Sequence, residues 1–234
     1  MRRTLLWLYP ILSVVSQLIV ALLLGLALFP SALFLRWAWT AVGGLRADVW
    51  GLLGLCLALG FAFVLFGNSL LMLVIVLSRA FRIRATERRA QVFSFATIHY
   101  ALYSLLLYVA SSFYLPVLKS SYFNVWFYRR MGAKIGKGTL VATNRIWDCD
   151  LVEIGENCII GGNASISAHY AQGGRGRLRK VRIGNSVTIG ANSSIMPGVV
   201  IEDNVVVGAH TLVSPGMHLK SGGIYLGVPA ERIN

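Results

Sequence analysis

Few side chains in the second half of the chain could carry out chemistry, and histidines stand out among them. An imidazole exchanges a proton near neutral pH and also binds metal ions. His169 and His210 occupy the fourth place of a six-residue sequence unit, whereas His218 ends its unit. Histidines at such different places of a repeat converge poorly on one zinc ion, so we expect no metal site. We expect proton transfer to be the chemistry of the imidazole.

The three cysteines show neither a metal-binding nor a disulfide pattern. Cys149 and Cys158 lie nine positions apart, no CxxC pair occurs, and Cys56 lies in a long apolar stretch. We therefore expect three buried, reduced thiols.

A six-residue period in the last part of the chain would position these side chains. Small and polar residues fill the places between regularly spaced aliphatic residues. This period is typical of a parallel β-helix, in which each unit forms one short strand and a turn. Three units close one triangular coil, and each inward aliphatic side chain stacks on the one eighteen residues later. The aliphatic positions are 183, 189, 195, 201, 207, 213 and 219, and the same phase appears upstream at 135, 141, 154, 160 and 166.

Two interruptions break this period. Thirteen rather than twelve residues separate positions 141 and 154, which predicts a one-residue bulge near Trp147–Leu151. Seventeen residues separate positions 166 and 183, and they include AQGGRGRLRK, which cannot supply inward aliphatic side chains. We predict that residues 170–180 form a loop outside the coil, where binding sites usually lie.

Residues 1–131 have the composition of a membrane domain. The chain is 56% hydrophobic and 13% charged, and residues 5–29 and 49–77 contain no charge. Each stretch is long enough to cross a hydrocarbon layer of about 30 Å. A third apolar segment, residues 98–118, contains a histidine and four tyrosines, and we interpret it as a re-entrant or interfacial helix. The sequence YFNVWFYRR that follows suits the lipid headgroup layer.

Positive charge predicts the orientation of the chain and its partners. Lys and Arg number 22 against 9 Asp and Glu, which gives a net charge of +13. The arginines mostly flank the apolar spans, so we expect contact with anionic membrane lipid and none with nucleic acid. Arginines cluster in the loop of residues 78–90 and at the N-terminus, which places both in the cytoplasm. We expect a multi-pass protein of the cell inner membrane, with residues 132–234 facing the cytoplasm provided that segment 98–118 does not cross.

Residues 132–234 resemble the hexapeptide-repeat acyltransferases, including sugar O-acetyltransferases of the maltose and galactoside type. The shared landmarks are IGENCIIGGNASISAH, a loop, a long regular repeat run and the tail GVPAERI. The phrase RRMGAKIGKGT, together with the membrane segments, is similar to the C-terminal region of ε-poly-lysine-synthase-type peptide synthetases. The resemblance implies a left-handed β-helix, a homotrimer, and transfer of an acetyl or aminoacyl group from a thioester to a hydroxyl or amine. The implied donor is acyl-CoA or the pantetheine of a carrier protein.

The resemblance also implies which residues form the active site. His169 corresponds to the family's general base, and Asn144 to an asparagine that holds the acceptor or stabilises the oxyanion. Either Asp148 or Asp150, in the predicted bulge, would orient the histidine or the acceptor. The positions implied for binding the donor are Arg175, Arg177, Gly190, Ala191, Gly208 and Ala209.

Two other classes of function stay open from the sequence. A γ-type carbonic anhydrase also uses a left-handed β-helix, but it requires three histidines that converge on zinc. A non-catalytic assembly module would use the β-helix as a trimeric membrane scaffold. Such a scaffold would neither bind CoA nor release a thiol from acetyl-CoA.

Overall fold

Helices build the first part of the chain and short strands the second. The computed structural model describes residues 2–43, 48–81, 83–91, 95–172 and 175–234, and the side chains of 10–43, 48–81, 83–87, 99–171 and 176–234. Two units result, Met1–Val76 and Leu77–Asn234. The helices are α1 (Arg2–Ala41), α2 (Val49–Ala80), α3 (Phe95–Phe113) and α4 (Tyr122–Arg130). The strands are β1 (Arg88–Gln91), β2 (Lys134–Ile135), β3 (Leu140–Val141), β4 (Val152–Ile154), β5 (Ile159–Ile160), β6 (Ser165–Ile166), β7 (His169–Gln172), β8 (Arg175–Leu178), β9 (Val181–Ile183), β10 (Thr188–Ile189), β11 (Ser194–Ile195), β12 (Val200–Ile201), β13 (Val206–Val207), β14 (Leu212–Val213), β15 (His218–Leu219), β16 (Ile224–Leu226) and β17 (Glu231–Arg232).

The two N-terminal helices contain the predicted membrane spans. Pro10–Ala41 and Val49–Ala80 are 32 residues each and are apolar enough to cross a membrane. Within the first unit the hydroxyl of Ser31 donates to the carbonyl of Ala62 at 2.9 Å, which joins α1 to α2. Large apolar side chains such as Leu18 and Leu57 are exposed on these helices. Such surfaces favour an apolar environment around them.

The third apolar segment belongs to the second unit. Helix α3 is followed by a short 3₁₀ helix, Leu115–Leu118. The side chains of Tyr103, Leu107 and Ala110 recur at helical spacing and are buried. Its interfacial location stays a prediction, and so does a domain boundary at residue 131.

Three parallel sheets form the faces of a β-helix, as the six-residue period predicts. Along each face the residues that point inward are buried and mostly aliphatic, for example Ile160, Ile189 and Val207 on one face, where Tyr225 follows in the last strand. Ile189 pairs with Val207 and Ile195 with Val213, each eighteen positions later. We name the faces by their strands: the first face is β2, β4, β9, β12 and β15, the second is β3, β5, β10, β13 and β16, and the third is β6, β11 and β14.

Residues with positive φ turn the corners between the faces. After the second face, Asn163, Asn192 and His210 have φ of 56° to 58°. Asparagine adopts this left-handed conformation more readily than most residues. His210 therefore replaces an asparagine at a repeated corner position, and its role there is explained by the turn.

Both interruptions of the period fall at the corner after the third face. In the later coils Gly198 and Gly216 turn this corner with φ of 77° and 75°. In the first coil Asp148 has a φ of 57° and precedes the 3₁₀ helix Cys149–Leu151. In the second coil the chain leaves as the antiparallel hairpin β7–β8, and β1 adds a third strand to it. The residues predicted to form a loop are therefore largely this hairpin.

Helix α4 covers the start of the β-helix. The amide of Asn124 donates to the carbonyls of Val141 and Thr143, at 2.9 and 3.0 Å. The guanidinium of Arg129 donates to the carbonyls of Ile135 and Gly136. These bonds satisfy first-coil carbonyls and hold α4 against the coil.

Two neighbouring glycines test how closely the coils stack. A Cβ added at Gly161 would lie 2.7 Å from the backbone nitrogen of Ala191, whereas one added at Gly162 meets nothing within 4 Å. We expect Gly161→Ala to lower the free energy of unfolding by about 1–3 kcal/mol, because the coils must separate. Gly162→Ala should leave it unchanged or slightly higher. Denaturant unfolding followed by circular dichroism measures both, and equal stability of the two variants would contradict this account.

Candidate functional site

A histidine and a carboxylate meet at the corner after the third face. Nδ1 of His169, the first residue of β7, lies 2.6 Å from Oδ2 of Asp148. The Asp148 side chain is 1% exposed and the His169 side chain 41% exposed. With Nδ1 donating to the carboxylate, Nε2 is left to accept a proton from a substrate. The two residues come together because the bulge and the hairpin leave adjacent coils at one corner.

Three further groups fix this pair. The backbone N–H of Ala168 donates to Oδ2 of Asp148 at 3.1 Å. The hydroxyl of Tyr100, on α3, donates to Oδ1 of the same carboxylate at 2.8 Å. The ring of Tyr100 also meets the His169 ring edge-on, with centroids 5.6 Å apart. The hydroxyl of Ser167 lies 3.3 Å from Nδ1 of His169.

The carboxylate sets the proton affinity of the imidazole. Burial lowers the pKa of His169, whereas the hydrogen bond and the negative charge of Asp148 raise it, and the balance leaves the pKa above its ordinary value. The charge of Asp148 thus compensates for the partial desolvation of the ring. The imidazole is thus oriented by Asp148, and its pKa is raised, which makes it a stronger proton acceptor.

Asp150 lies close to Asp148 in sequence but serves a different contact. Its Oδ2 accepts the backbone N–H of Ala85 at 3.1 Å. Burial raises the pKa of Asp150, and the hydrogen bond from Ala85 and the charge of Arg84 lower it in part. Within the described part of the chain, no hydrogen bond joins Asp150 to His169. The structure therefore brings Asp148 to the histidine, and Asp150 to the segment that precedes β1.

Asn144 lies at a different corner from His169. It is the third residue after Val141, so it occupies the same corner position as Asn163, Asn192 and His210, after the second face. Its amide donates to the carbonyl of Ser111 on α3 at 2.8 Å. Among the described residues no hydrogen bond connects it to the His169–Asp148 pair. The role of Asn144 near the acceptor stays a prediction.

The positions expected to bind the donor divide between the same two corners. The guanidinium of Arg177 lies in the hairpin and donates to the hydroxyl of Tyr170 at 3.3 Å. The side chain of Arg175 lies outside the described residues. The other four positions directly follow inward residues of the second face: Gly190, Ala191, Gly208 and Ala209.

Close stacking of the coils explains two of these glycines without a ligand. A Cβ on Gly190 would overlap the backbone of Ala209, and a Cβ on Gly208 would overlap the side chain of Leu226. Gly190 is therefore required by the packing of successive coils, whereas at Gly208 the Leu226 side chain would have to move. Donor binding by this group stays a prediction.

Comparison with known proteins places the repeats in one family. Residues 180–215 match the family described as bacterial transferase hexapeptide (six repeats), and residues 151–169 match the hexapeptide repeat of succinyl-transferase. These two stretches of the β-helix therefore carry repeats of the hexapeptide-transferase type. The resemblance to hexapeptide-repeat proteins and the left-handed β-helix fold, both predicted from the sequence, are thereby confirmed.

Proteins similar to this chain include a putative acetyltransferase and a poly-L-ornithine synthetase. The putative acetyltransferase YvoF of Bacillus subtilis (strain 168) is 44% identical over 82 residues, which cover 33% of this chain and 48% of YvoF. The delta-poly-L-ornithine synthetase of Acinetobacter baumannii (strain AB307-0294) is 28% identical over 109 residues, covering 47% of this chain and 8% of the synthetase. A solved galactoside acetyltransferase in complex with coenzyme A is 24% identical, with a TM-score of 0.40, and the match covers 47% of this chain and 68% of that structure. The matches thus span about half of the first relative and a small part of the second.

Sequence reasoning did not assign Tyr100 or Arg179 to this site. Tyr100 was one of four tyrosines in an apolar segment, and its i, i+3 spacing with Tyr103 was the available signal of a polar helix face. Arg179 is the last arginine of the sequence AQGGRGRLRK. Its guanidinium lies over the corner after the third face, as the position of Gly198 shows: a Cβ added there would lie 2.8 Å from Cζ of Arg179. At that corner it would face ligands that approach the hairpin.

Among the described residues, no side-chain hydrogen bond joins the other histidines or the cysteines to the His169–Asp148 pair. His218 projects outward from the first face and its Nε2 lies 2.7 Å from Glu202. In the described residues, no group of three or more His, Cys, Asp and Glu side chains is arranged to hold a metal. Burial raises the pKa of Cys149 to about 12 and also raises the pKa of Cys158. Cys56, expected to be buried, is exposed on α2.

Removing the charge of Asp148 should reverse how stability depends on pH. Asn is the same size and tolerates positive φ. Because the pKa of His169 is raised in the wild type, its stabilising effect is complete below the ordinary histidine value of about 6.5 and is lost as pH rises through the raised pKa. In Asp148→Asn, burial alone would lower the pKa of His169, so stability should instead fall as the pH drops. Thermal unfolding midpoints across this range measure the difference, and parallel curves for both proteins would contradict it.

Proposed function

We propose that this protein is a membrane-anchored acyltransferase that moves an acyl group from a thioester to a hydroxyl or amine. The observation that carries the proposal is the 2.6 Å contact between His169 and a fully buried Asp148. An oriented imidazole with one free nitrogen is what general-base catalysis of acyl transfer requires. The similarity to the putative acetyltransferase YvoF and the transferase repeats support the reaction class.

The reaction follows from the free Nε2 of His169. As the acceptor oxygen or nitrogen attacks the thioester carbonyl carbon, its proton passes to Nε2, and a tetrahedral intermediate forms. When the intermediate collapses, the carbon–sulfur bond breaks and the proton passes from Nε2 to the leaving thiolate. Asp148 holds the ring in one orientation and stabilises the imidazolium between these steps.

A complete site requires two corners that one protomer keeps apart. His169 and Arg177 lie at the corner after the third face, whereas Asn144 and the glycines and alanines expected at the donor lie after the second. A second copy of the chain that presents its second-face corner to the hairpin of the first would unite the two sets. We therefore propose a homotrimer with the acyl donor held at each seam.

The second face supplies an apolar surface for such an assembly. Its outward side chains form a ladder whose members are paired by the strand register. The ladder consists of Leu140, Ile159, Thr188, Val206 and Ile224, and the four aliphatic members are exposed. The outward residues of the first face are instead mostly charged, including Lys134, Glu153 and Arg182. Apolar ladders of this kind are typical of contacts between subunits.

The donor and the location complete the proposal. The donor is acyl-CoA or a carrier-protein pantetheine, whose phosphates the arginines of the hairpin would attract. Helices α1 and α2 anchor the chain in the inner membrane. The exposed rings of Tyr122 and Phe123 on α4, with Arg129 and Arg130, support contact with lipid headgroups. The excess of arginine in residues 78–90 supports a β-helix on the cytoplasmic side, provided that segment 98–118 does not cross.

Thiol release from acetyl-CoA tests the reaction. We expect the wild type to release free CoA, and His169→Ala to do so about 10²- to 10⁴-fold more slowly, since the general base is lost. The matched control is His218→Ala, which removes an exposed imidazole on the first face and should leave the rate unchanged. The measurement is a thiol-reactive dye assay on purified protein with a panel of sugar and amine acceptors.

The same assay tests the orientation and the alternative classes. Inverted membrane vesicles should turn over added acetyl-CoA, and right-side-out vesicles should not. Equal rates for wild type and His169→Ala would disprove the assigned base. An assembled protein without turnover or CoA binding would favour the scaffold, and stoichiometric zinc would favour a metal-dependent enzyme.

A charge in the ladder tests the assembly. We expect Ile159→Glu to convert trimers to monomers, because an unpaired carboxylate would be buried at the seam. The control is Val200→Glu, an outward aliphatic position on the first face that is flanked in register by Arg182 and His218. Native mass spectrometry from detergent reports the subunit number. If Ile159→Glu stays trimeric, the second face is not the contact.

A further inference from the structure

Helix α3 holds the bend that carries Asp148 through three hydrogen bonds. The hydroxyl of Tyr100 donates to the carboxylate of Asp148 at 2.8 Å. One turn later, the hydroxyl of Tyr103 accepts the backbone N–H of Cys149 at 2.7 Å. Near the end of the helix, the carbonyl of Ser111 accepts from the amide of Asn144. All three partners lie in residues 144–149, so α3 fixes this segment along its length.

The two oxygens of Asp148 have separate partners. Oδ2 accepts from His169 and from the N–H of Ala168, whereas Oδ1 accepts from Tyr100. A carboxylate that is 1% exposed has almost no access to water. Among the described residues, Tyr100 is the group that occupies Oδ1. Its hydroxyl therefore fixes which oxygen faces the imidazole and offsets part of the negative charge.

We propose that Tyr100 is a positioning residue for the His169–Asp148 pair, so that a helix outside the β-helix sets the strength of the base. This proposal rests on the proposed function, in which His169 is the base. The ring contact between Tyr100 and His169 adds a second restraint on the imidazole, at 5.6 Å between centroids. Tyr100 reaches both members of the pair from one side chain.

The groups around the pair determine the direction of the expected effect. Asp148 and Ser167 contact the imidazole, and Leu178 lies opposite His169 in the hairpin. Asp150 and Cys149 follow Asp148, while His99 is exposed on α3 beside Tyr100. Removing the Tyr100 hydroxyl leaves more uncompensated charge on the carboxylate. The proton affinity of the pair should then rise, whichever of its two groups holds the proton.

Tyr100→Phe in the full-length protein is the direct test. We expect the titration midpoint of His169, followed by NMR of the ring carbons and assigned with His169→Gln, to rise by about half a unit to one unit. The acidic limb of thiol release from acetyl-CoA should move by the same amount. At pH values below the midpoints of both the wild type and Tyr100→Phe, this shift makes the variant about 3- to 10-fold slower than the wild type.

Two variants on the same helix separate positioning from folding. Tyr103→Phe leaves the buried N–H of Cys149 without its acceptor, so it should lower the thermal unfolding midpoint without moving the titration of His169. Tyr108→Phe removes an exposed hydroxyl and should change neither quantity. A titration midpoint in Tyr100→Phe that equals or falls below that of wild type would overturn the inference.

The outcomes for the reaction and for the positioning residue are distinguishable. If turnover depends on His169 and Tyr100→Phe titrates like wild type, the inference fails and the proposed function stands. If acetyl-CoA is not turned over but the NMR midpoint rises as expected, Tyr100 does position the pair and the proposed reaction is wrong.

Discussion

Backbone contact between successive coils is the constraint on which the rest of the β-helix depends. Parallel strands of adjacent coils are hydrogen-bonded along three faces, and the spacing of about 4.8 Å leaves no room for an extra residue within a face. At Gly161 and Gly190 even a methyl group would strike the next coil. Residues can therefore be added only where the chain turns. The corner after the third face takes both additions, one residue at the bulge and the longer hairpin.

This constraint explains why the site combines rigidity with access. The third face, which ends at this corner, is held by inward aliphatic side chains such as Ile166 and Ile195, which are fully buried. Asp148 lies at the bulge with a backbone fixed at positive φ, and His169 is the first residue of the hairpin. The carboxylate of Asp148 is thus enclosed by the coil, while the imidazole of His169 is partly exposed to ligands. Oriented, partly desolvated pairs of this kind are typical of catalytic sites.

The six-residue period predicted the faces, the bulge and the segment that leaves the coil, because each depends on residues close in sequence. It did not separate Asp148 from Asp150, because that choice depends on the left-handed φ at residue 148 and on the following 3₁₀ helix. It also missed Tyr100, whose partner lies 48 positions later. The segment was interpreted through its hydropathy, which does not show the hydrogen bonds of its tyrosines. In the proposed trimer, Asn144 would meet His169 across two copies of the chain, which one sequence cannot display.

The hairpin adds length without disturbing the register of the coils around it. Ile166 pairs with Ile195 across it, 29 positions apart, while Ile195 pairs with Val213 after the usual eighteen. Strand β1 pairs with the β8 edge of the hairpin, so the hairpin is part of a small three-stranded sheet of its own. A longer loop adds only a small entropic cost of closure. This corner can therefore change in length and sequence while the coils of the β-helix stay the same. Under the proposed function, the groups that meet the ligand at this corner can therefore be changed by exchanging one hairpin while the folding core stays the same.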